Sequence, residues 1–119
     1  MRDATAQEIQ AEIKRGADIR GRDNRGFTTL HYAAYEGNAE VVTALLAAGE
    51  DIEAKANFNS TPLHVAAGWG GPEVVIALIE AGANGKARNE EGDTPFDLAK
   101  DNEQLKGTEA YWLLNEARY

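Results

Sequence analysis

The chain has 119 residues, of which 12 are basic and 20 are acidic, for a formal net charge of −8. This acidic balance opposes binding to nucleic-acid phosphates and to anionic membrane surfaces. The absence of cysteine excludes disulfides, cysteine-ligated zinc and thiol catalysis. No apolar run approaches the roughly 20 residues of a membrane helix. The length predicts a single domain over residues 1–119.

The first 22 residues are predicted to contain one helix. Thr5 and Glu8 have the spacing of a capping box, and Ile9 and Ile13 would lie together on its inner face. A helix with one apolar and one polar face is typical of a capping unit at the end of a repeat stack. Since the N-terminus lacks the apolar core of a signal peptide, we expect a cytoplasmic protein. An exported protein that has lost its signal peptide is the alternative.

A segment of eight or nine residues recurs every 33 residues from position 26 onward. Residues 26–34 read GFTTLHYAA, residues 59–67 read NSTPLHVAA, and residues 92–99 read GDTPFDLA. A period of this length indicates stacked supersecondary units and not a single globular core. The predicted units are a partial repeat at 1–22, full repeats at 23–55 and 56–88, and a capping repeat at 89–119.

Each full unit is predicted to contain two helices. Thr28, Thr61 and Thr94 stand where a hydroxyl group can cap the first helix. Just before them, the column formed by Gly26, Asn59 and Gly92 predicts a turn with positive φ. The second helices are predicted at 39–48 and 72–81, where apolar residues recur at i, i+3 and i+4.

The last unit departs from the period after residue 101. An insertion of two residues in 101–107 would bring Leu113 and Leu114 to the positions of Leu45 and Leu46. The C-terminal helix then carries three aromatic residues that cannot all face inward. These residues are Tyr111, Trp112 and Tyr119. They either cover the end of the stack or form a patch for self-association.

The sequence Thr-Pro-Leu-His-Val-Ala-Ala at 61–67 matches the ankyrin repeat motif residue for residue, and the period agrees. The chain therefore resembles ankyrin repeat proteins over nearly its whole length, and its ending is similar to small bacterial members. The resemblance implies an all-α solenoid of helix-turn-helix units joined by hairpin-like loops. It also implies a noncatalytic protein that binds a partner protein through the concave face and the hairpin tips.

On this chain, the concave face and the hairpin tips carry four aromatic residues that the fold does not require, namely Phe27, Tyr35, Phe58 and Trp69. Aromatic residues and arginine are the usual energetic anchors of interfaces, although partial burial against a neighbouring repeat is the alternative explanation. Basic residues at 22, 55 and 88 form a ladder that either meets an acidic partner or is an ordinary feature of such repeats. The predicted partner-binding residues are Arg25, Phe27, Tyr35, Glu36, Lys55, Asn57, Phe58, Trp69, Arg88 and Glu91.

The sequence gives no support to catalysis or to a cofactor. His31 and His64 align, but equivalent side chains on stacked repeats lie about 8–10 Å apart, whereas zinc requires ligands at about 2.0–2.1 Å. The family resemblance implies a structural hydrogen-bonding role for both. We expect a monomer without metal or cofactor. The alternatives are self-association through an incompletely capped end, a metal or small ligand at the histidines, and a fragment of a larger protein whose ankyrin part recruits a substrate or regulator.

Overall fold

The computed structural model describes residues 22–119. The predicted N-terminal helix, with the capping pair Thr5 and Glu8 and the apolar pair Ile9 and Ile13, lies outside the described residues. The described chain folds into helix pairs that stack on one another. Their helices are α1 (Thr29–Glu36), α2 (Ala39–Ala47), α3 (Pro62–Trp69), α4 (Pro72–Glu80), α5 (Pro95–Ala99) and α6 (Glu109–Ala117).

The helices form two parallel rows. Helices α1, α3 and α5 pack in one row, helices α2, α4 and α6 pack in the other, and each pair also packs internally. Leu30, Leu45, Leu63 and Leu78 are fully buried between the rows. Among residues 22–119 the only β-type pairings are two isolated bridges near the loops. The predicted all-α solenoid is therefore confirmed.

Threonine caps begin all three first helices, as the sequence predicts. The side chains of Thr28, Thr61 and Thr94 each accept a hydrogen bond from the backbone N–H three residues later. The residues at that third position are His31, His64 and Asp97. The side chain of each accepts a hydrogen bond from the threonine N–H, which completes a capping box. Each box satisfies two N–H groups that a helix start would otherwise leave unpaired.

The predicted turns with positive φ are also confirmed, at Gly26 (φ 78°), Asn59 (φ 56°) and Gly92 (φ 83°). The middle tip differs from its neighbours because it forms a short 3₁₀ turn over Asn57–Asn59. Phe58 in that turn also has positive φ, 64°. A left-handed backbone is unfavourable for a side chain of this size, so the middle tip is locally strained.

The C-terminal unit contains the predicted insertion, but it is longer than two residues. The N-caps of the second helices are Asn38, Gly71 and Thr108, so their spacing changes from 33 to 37 residues. Leu114, and not Leu113, is buried. The predicted alignment of Leu113 and Leu114 with Leu45 and Leu46 is wrong, because the N-caps align Leu114 with Ala44. The longer loop before α6 contributes its own core residue, Leu105, which is fully buried.

The three C-terminal aromatic residues have different environments. Tyr111 is partly buried, and its ring meets the ring of Phe96 edge to face at 5.1 Å. Trp112 and Tyr119 are 58% and 73% exposed. Only Tyr111 therefore covers the core, and the other two aromatic residues project from the end of the described stack.

Candidate partner-binding surface

A groove of about 310 Å³ lies between the hairpin tips and the ends of the first helices. Its walls combine tip residues with side chains from α1, α3 and α5. Seven of the ten predicted partner-binding residues line it. They are Arg25, Phe27, Tyr35, Asn57, Phe58, Trp69 and Glu91.

The aromatic side chains of the groove are exposed to different extents. Tyr35, Phe58 and Trp69 are 55%, 68% and 56% exposed, so partial burial does not explain their presence. Phe27 is half-buried because its ring stacks on His31 at a centroid distance of 5.3 Å. Partial burial, the alternative considered from the sequence, therefore describes Phe27 but not the other three.

Hydrogen bonds between successive tips fix the upper wall of the groove. The N–H of Asn57 donates to the carbonyl of Arg25 at 2.9 Å, and the N–H of Glu90 donates to the carbonyl of Phe58 at 2.9 Å. Each tip is thereby tied to the next through its backbone. The side chains at positions 25 and 58 consequently have a defined spacing along the stack.

The two histidines connect each first helix to the next hairpin. His31 Nδ1 accepts from the N–H of Thr28 at 3.2 Å, while Nε2 lies 2.8 Å from the carbonyl oxygen of Ser60. His64 repeats this arrangement with Thr61 and with the carbonyl of Asp93. A carbonyl can only accept, so each Nε2 carries a proton. Each Nδ1 accepts from a backbone N–H and therefore has no proton, so each imidazole is neutral. The predicted structural hydrogen-bonding role is confirmed.

The C-terminal loop holds the end of α3, where Trp69 lies. The buried Asn102 side chain donates to the carbonyls of Ala67 and Gly70 at 3.0 and 2.9 Å. Gln104 donates to the carbonyl of Trp69 itself at 3.0 Å. The irregular loop thus caps the final turn of α3 and fixes the backbone from which Trp69 projects into the groove.

Three predicted residues lie outside the groove lining. Glu36 borders a second depression, at the start of α2. The Arg88 guanidinium donates to the carbonyl of Gly92 at 2.7 Å, which braces its own hairpin. The third, Lys55, is exposed, and its backbone carbonyl accepts from the Arg22 guanidinium at 3.0 Å. Arg22 also braces the first hairpin by donating to the carbonyl of Gly26 at 3.1 Å. Arg22 and Arg88 of the basic ladder therefore have structural functions, and the role of the ladder in binding stays a prediction.

Sequence reasoning did not select four residues that line the groove, namely Ser60, Val65, Asn89 and Leu98. Val65 and Leu98 share the variable position that follows histidine or aspartate in the repeated motif. A periodic column whose members differ in size and polarity is a signal that could have identified this position as one that lies beside the groove, although Val65 itself is buried. Asn89 supports the third tip, because its side chain accepts from the N–H groups of Glu91 and Asp93.

The first tip is organised around the carboxylate of Asp23. This group accepts hydrogen bonds from the N–H groups of Arg25 and Phe27 and from the hydroxyl of Tyr32. The bond from Tyr32 contributes most to lowering the pKa of Asp23, and it raises the pKa of Tyr32 in turn. The Arg25 guanidinium lies 5.4 Å from the centre of the Phe27 ring, in cation–π contact.

Neither a metal centre nor a membrane span is found in the part of the chain that the structure describes. Within residues 22–119, no three histidine, aspartate or glutamate residues are placed to share an ion. None of the helices there has the length and apolarity to cross a bilayer.

Comparison with known families agrees with this architecture. A sequence model described as ankyrin repeats (3 copies) matches residues 5–56 and 30–117. The chain belongs to the ankyrin repeat family. Members of this family are generally noncatalytic protein–protein interaction modules. A comparison with curated proteins gave no match.

Proposed function

We propose that this chain is a noncatalytic module that binds a partner protein through the groove between its hairpin tips and first helices. The observation that carries the proposal is the set of exposed aromatic side chains that converge on one cavity, namely Tyr35, Phe58 and Trp69. Large exposed apolar clusters on folded proteins mark interaction sites, and aromatic residues dominate interface energetics.

The rigidity of the groove favours docking of a pre-formed surface. The hydrogen bonds between tips and the capping of α3 already fix the backbone at positions 58 and 69. Binding to an ordered surface loses little conformational entropy, so more of the contact energy contributes to affinity. The partner would bury the aromatic side chains while the histidine and threonine network keeps the repeats in place.

The backbone at Phe58 adds independent support. A left-handed conformation costs an ordinary residue about 1–2 kcal/mol, whereas asparagine adopts it more readily. The side chain is 68% exposed, so it recovers little of that cost by packing. Strained residues cluster at functional sites, and a binding role would explain why an exposed phenylalanine occupies this turn.

Two tryptophans provide a matched test of the proposal. Trp69 in the groove and Trp112 on α6 are 56% and 58% exposed, so their replacement removes similar exposed surface. Affinity capture from the source organism would compare the unaltered chain with Trp69→Ala and Trp112→Ala variants of equal stability. We expect Trp69→Ala to lose a captured protein that Trp112→Ala retains, with an affinity loss of at least about 2 kcal/mol, or roughly 30-fold.

A Phe58→Asn variant separates lost binding from lost folding. Asparagine tolerates the turn, so the variant should be more stable by up to about 1 kcal/mol while it binds the captured partner less well. Urea unfolding and surface plasmon resonance would measure the two effects. A variant that is more stable and retains full affinity would exclude Phe58 from the interface. Equal capture by all variants would reject the groove as the binding site.

Self-association is the second candidate function, and the exposure of Trp112 and Tyr119 favours it. Trp112 lies on the last helix and Tyr119 lies two residues beyond its end, at the side of the described stack where a further repeat could pack. The test is molar mass against concentration by light scattering. If the mass rises with concentration in the unaltered chain and not in Trp112→Ala, α6 is an association surface. If the mass is constant and monomeric, this candidate is rejected.

A further inference from the structure

The groove has an ordered charge pattern along the repeat axis. Arg25, Phe58 and Glu91 occupy the same position in three successive tips, 33 residues apart, and all three line the cavity. A cation therefore lies at one end, an aromatic ring in the middle and a carboxylate at the other end. Glu90, beside Glu91, strengthens the acidic end.

The spacing of these groups sets the length of a complementary chain. Packed helices lie about 8–10 Å apart, so two repeat steps cover roughly 16–20 Å. An extended chain advances about 3.3 Å per residue, which makes this distance five or six residues. A ligand that meets both charges would carry its own charges five or six positions apart, with an apolar side chain near the middle.

The size of the cavity favours one large side chain at that middle position. Its volume of about 310 Å³ lies at the low end of the ~300–1,000 Å³ of small-molecule sites. Leu98 contributes aliphatic surface above the buried side chain of Val65, while Tyr35 and Trp69 contribute aromatic surface. Such a lining would accept an aromatic side chain in edge-to-face contact, which adds about 0.5–1.5 kcal/mol per ring pair.

We propose that the groove binds an extended peptide segment of a partner in which an acidic residue, a large apolar residue and a basic residue follow one another. The acidic residue pairs with Arg25, the apolar residue enters among the aromatic rings, and the basic residue pairs with Glu91. This inference rests on the proposed protein-binding function and specifies the chemistry of the partner. The opposite charges at the two ends select the sequence order more than they add affinity.

The test uses capped seven-residue peptides as probes. The mixed probes are Glu-Ser-Ser-Phe-Ser-Ser-Lys and its reversed sequence, because the chain direction in the groove is not assumed. The controls carry glutamate at both ends, lysine at both ends, or serine in place of phenylalanine. Trp69 fluorescence in a Trp112→Phe background reports binding, since these are the two tryptophans of the chain.

We expect at least one mixed probe to bind about 1.5–5-fold more tightly than either like-charged probe, which corresponds to about 0.2–1 kcal/mol for one additional exposed ion pair. The serine control should lose most of the binding. Arg25→Glu should transfer the preference to the lysine probe, and Glu91→Lys should transfer it to the glutamate probe. Lys86→Glu, an equal charge change away from the groove, should leave the preference unaltered.

Several outcomes would overturn the inference. If the lysine probe binds best to the unaltered chain, the overall charge of −8 and not the groove order governs recognition. If no probe binds, or if the phenylalanine makes no difference, the groove does not take such a segment. The capture experiment with Trp69→Ala is independent of these probes. A partner lost with Trp69 but indifferent to the charge reversals would reject this inference and leave the proposed function standing.

Discussion

Acidification should weaken the fold through the two buried histidines. His31 and His64 are fully buried, and each uses Nδ1 as an acceptor and Nε2 as a donor. Burial lowers the pKa of both groups below the ordinary value of 6.5, and it outweighs the carbonyl bonds at Nε2, which act in the opposite direction. A second proton on Nδ1 would face the threonine N–H and break the capping box.

The sign and size of the effect follow from proton binding. With the pKa lowered in the folded state, the unfolded chain takes up protons first as the pH falls. The stabilising contribution is therefore fully present above pH 6.5 and declines below it, towards the lower pKa of the folded state. Each histidine can remove up to about 1.4 kcal/mol per pH unit, so both together remove up to about 2.8 kcal/mol at pH 5.5.

Urea unfolding at pH 7.5, 6.5 and 5.5 measures the effect. With a slope of about 1–3 kcal/mol per molar urea, the midpoint of the unaltered chain should fall by up to roughly 1–3 M over this range. The matched variants are His31→Gln and His64→Gln, because a glutamine can donate and accept at similar positions without titrating. Each single variant should show about half the pH dependence, and the double variant should show little.

The histidines are the only two in the chain, so few other side chains titrate in this range. A midpoint that stays constant between pH 7.5 and 5.5 would refute the reasoning. So would a double variant with the same pH dependence as the unaltered chain. The chemical shifts of the imidazole protons provide a direct check, since both rings of the folded protein should titrate below pH 6.5.

Three further substitutions test the packing that forms the groove, with urea unfolding as the measurement. Gly68→Ala should stabilise the protein by about 0.5–1 kcal/mol, because Gly68 is helical and a new Cβ would lie 3.7 Å from Leu98, in ordinary contact; a loss of stability would contradict this. Gly85→Ala should destabilise the protein by about 1–3 kcal/mol, because its Cβ would lie 2.8 Å from the carbonyl oxygen of Ala117. An unchanged urea midpoint would show that α6 can shift away from the new methyl group at little cost. Asn102→Ala should cost about 1–3 kcal/mol by leaving two carbonyls of the α3 terminus without their donor, and a neutral result would mean that water replaces the amide.

The sequence predicted the fold because each repeated column has a local physical cause. Threonine at a helix start, and glycine or asparagine at a turn, act within a few residues of their own position. The 33-residue period then multiplies these local signals along the chain. Thr28, for example, caps α1, and Gly26 adopts a positive φ, and both properties depend on residues close to them in the sequence.

The sequence also predicted much of the candidate site, because the repeat assigns tip and helix-end positions without coordinates. Tyr35 and Trp69 were selected as residues on an exposed surface that the fold does not require. Their convergence on one cavity with Phe58 depends on how the repeats pack against one another. That packing is a tertiary property, and it also places Val65 and Leu98 in the lining.

What the amino-acid order alone determined is the class of fold, the register of the repeats and the identity of the exposed aromatic residues, since all three arise from short-range patterns. Tertiary structure decided the rest. It placed Leu105, from the loop before α6, in the core, and it gave Arg22 and Arg88 structural roles through carbonyls of the hairpins. It also created the groove itself, because a cavity between repeats exists only when residues distant in sequence pack together.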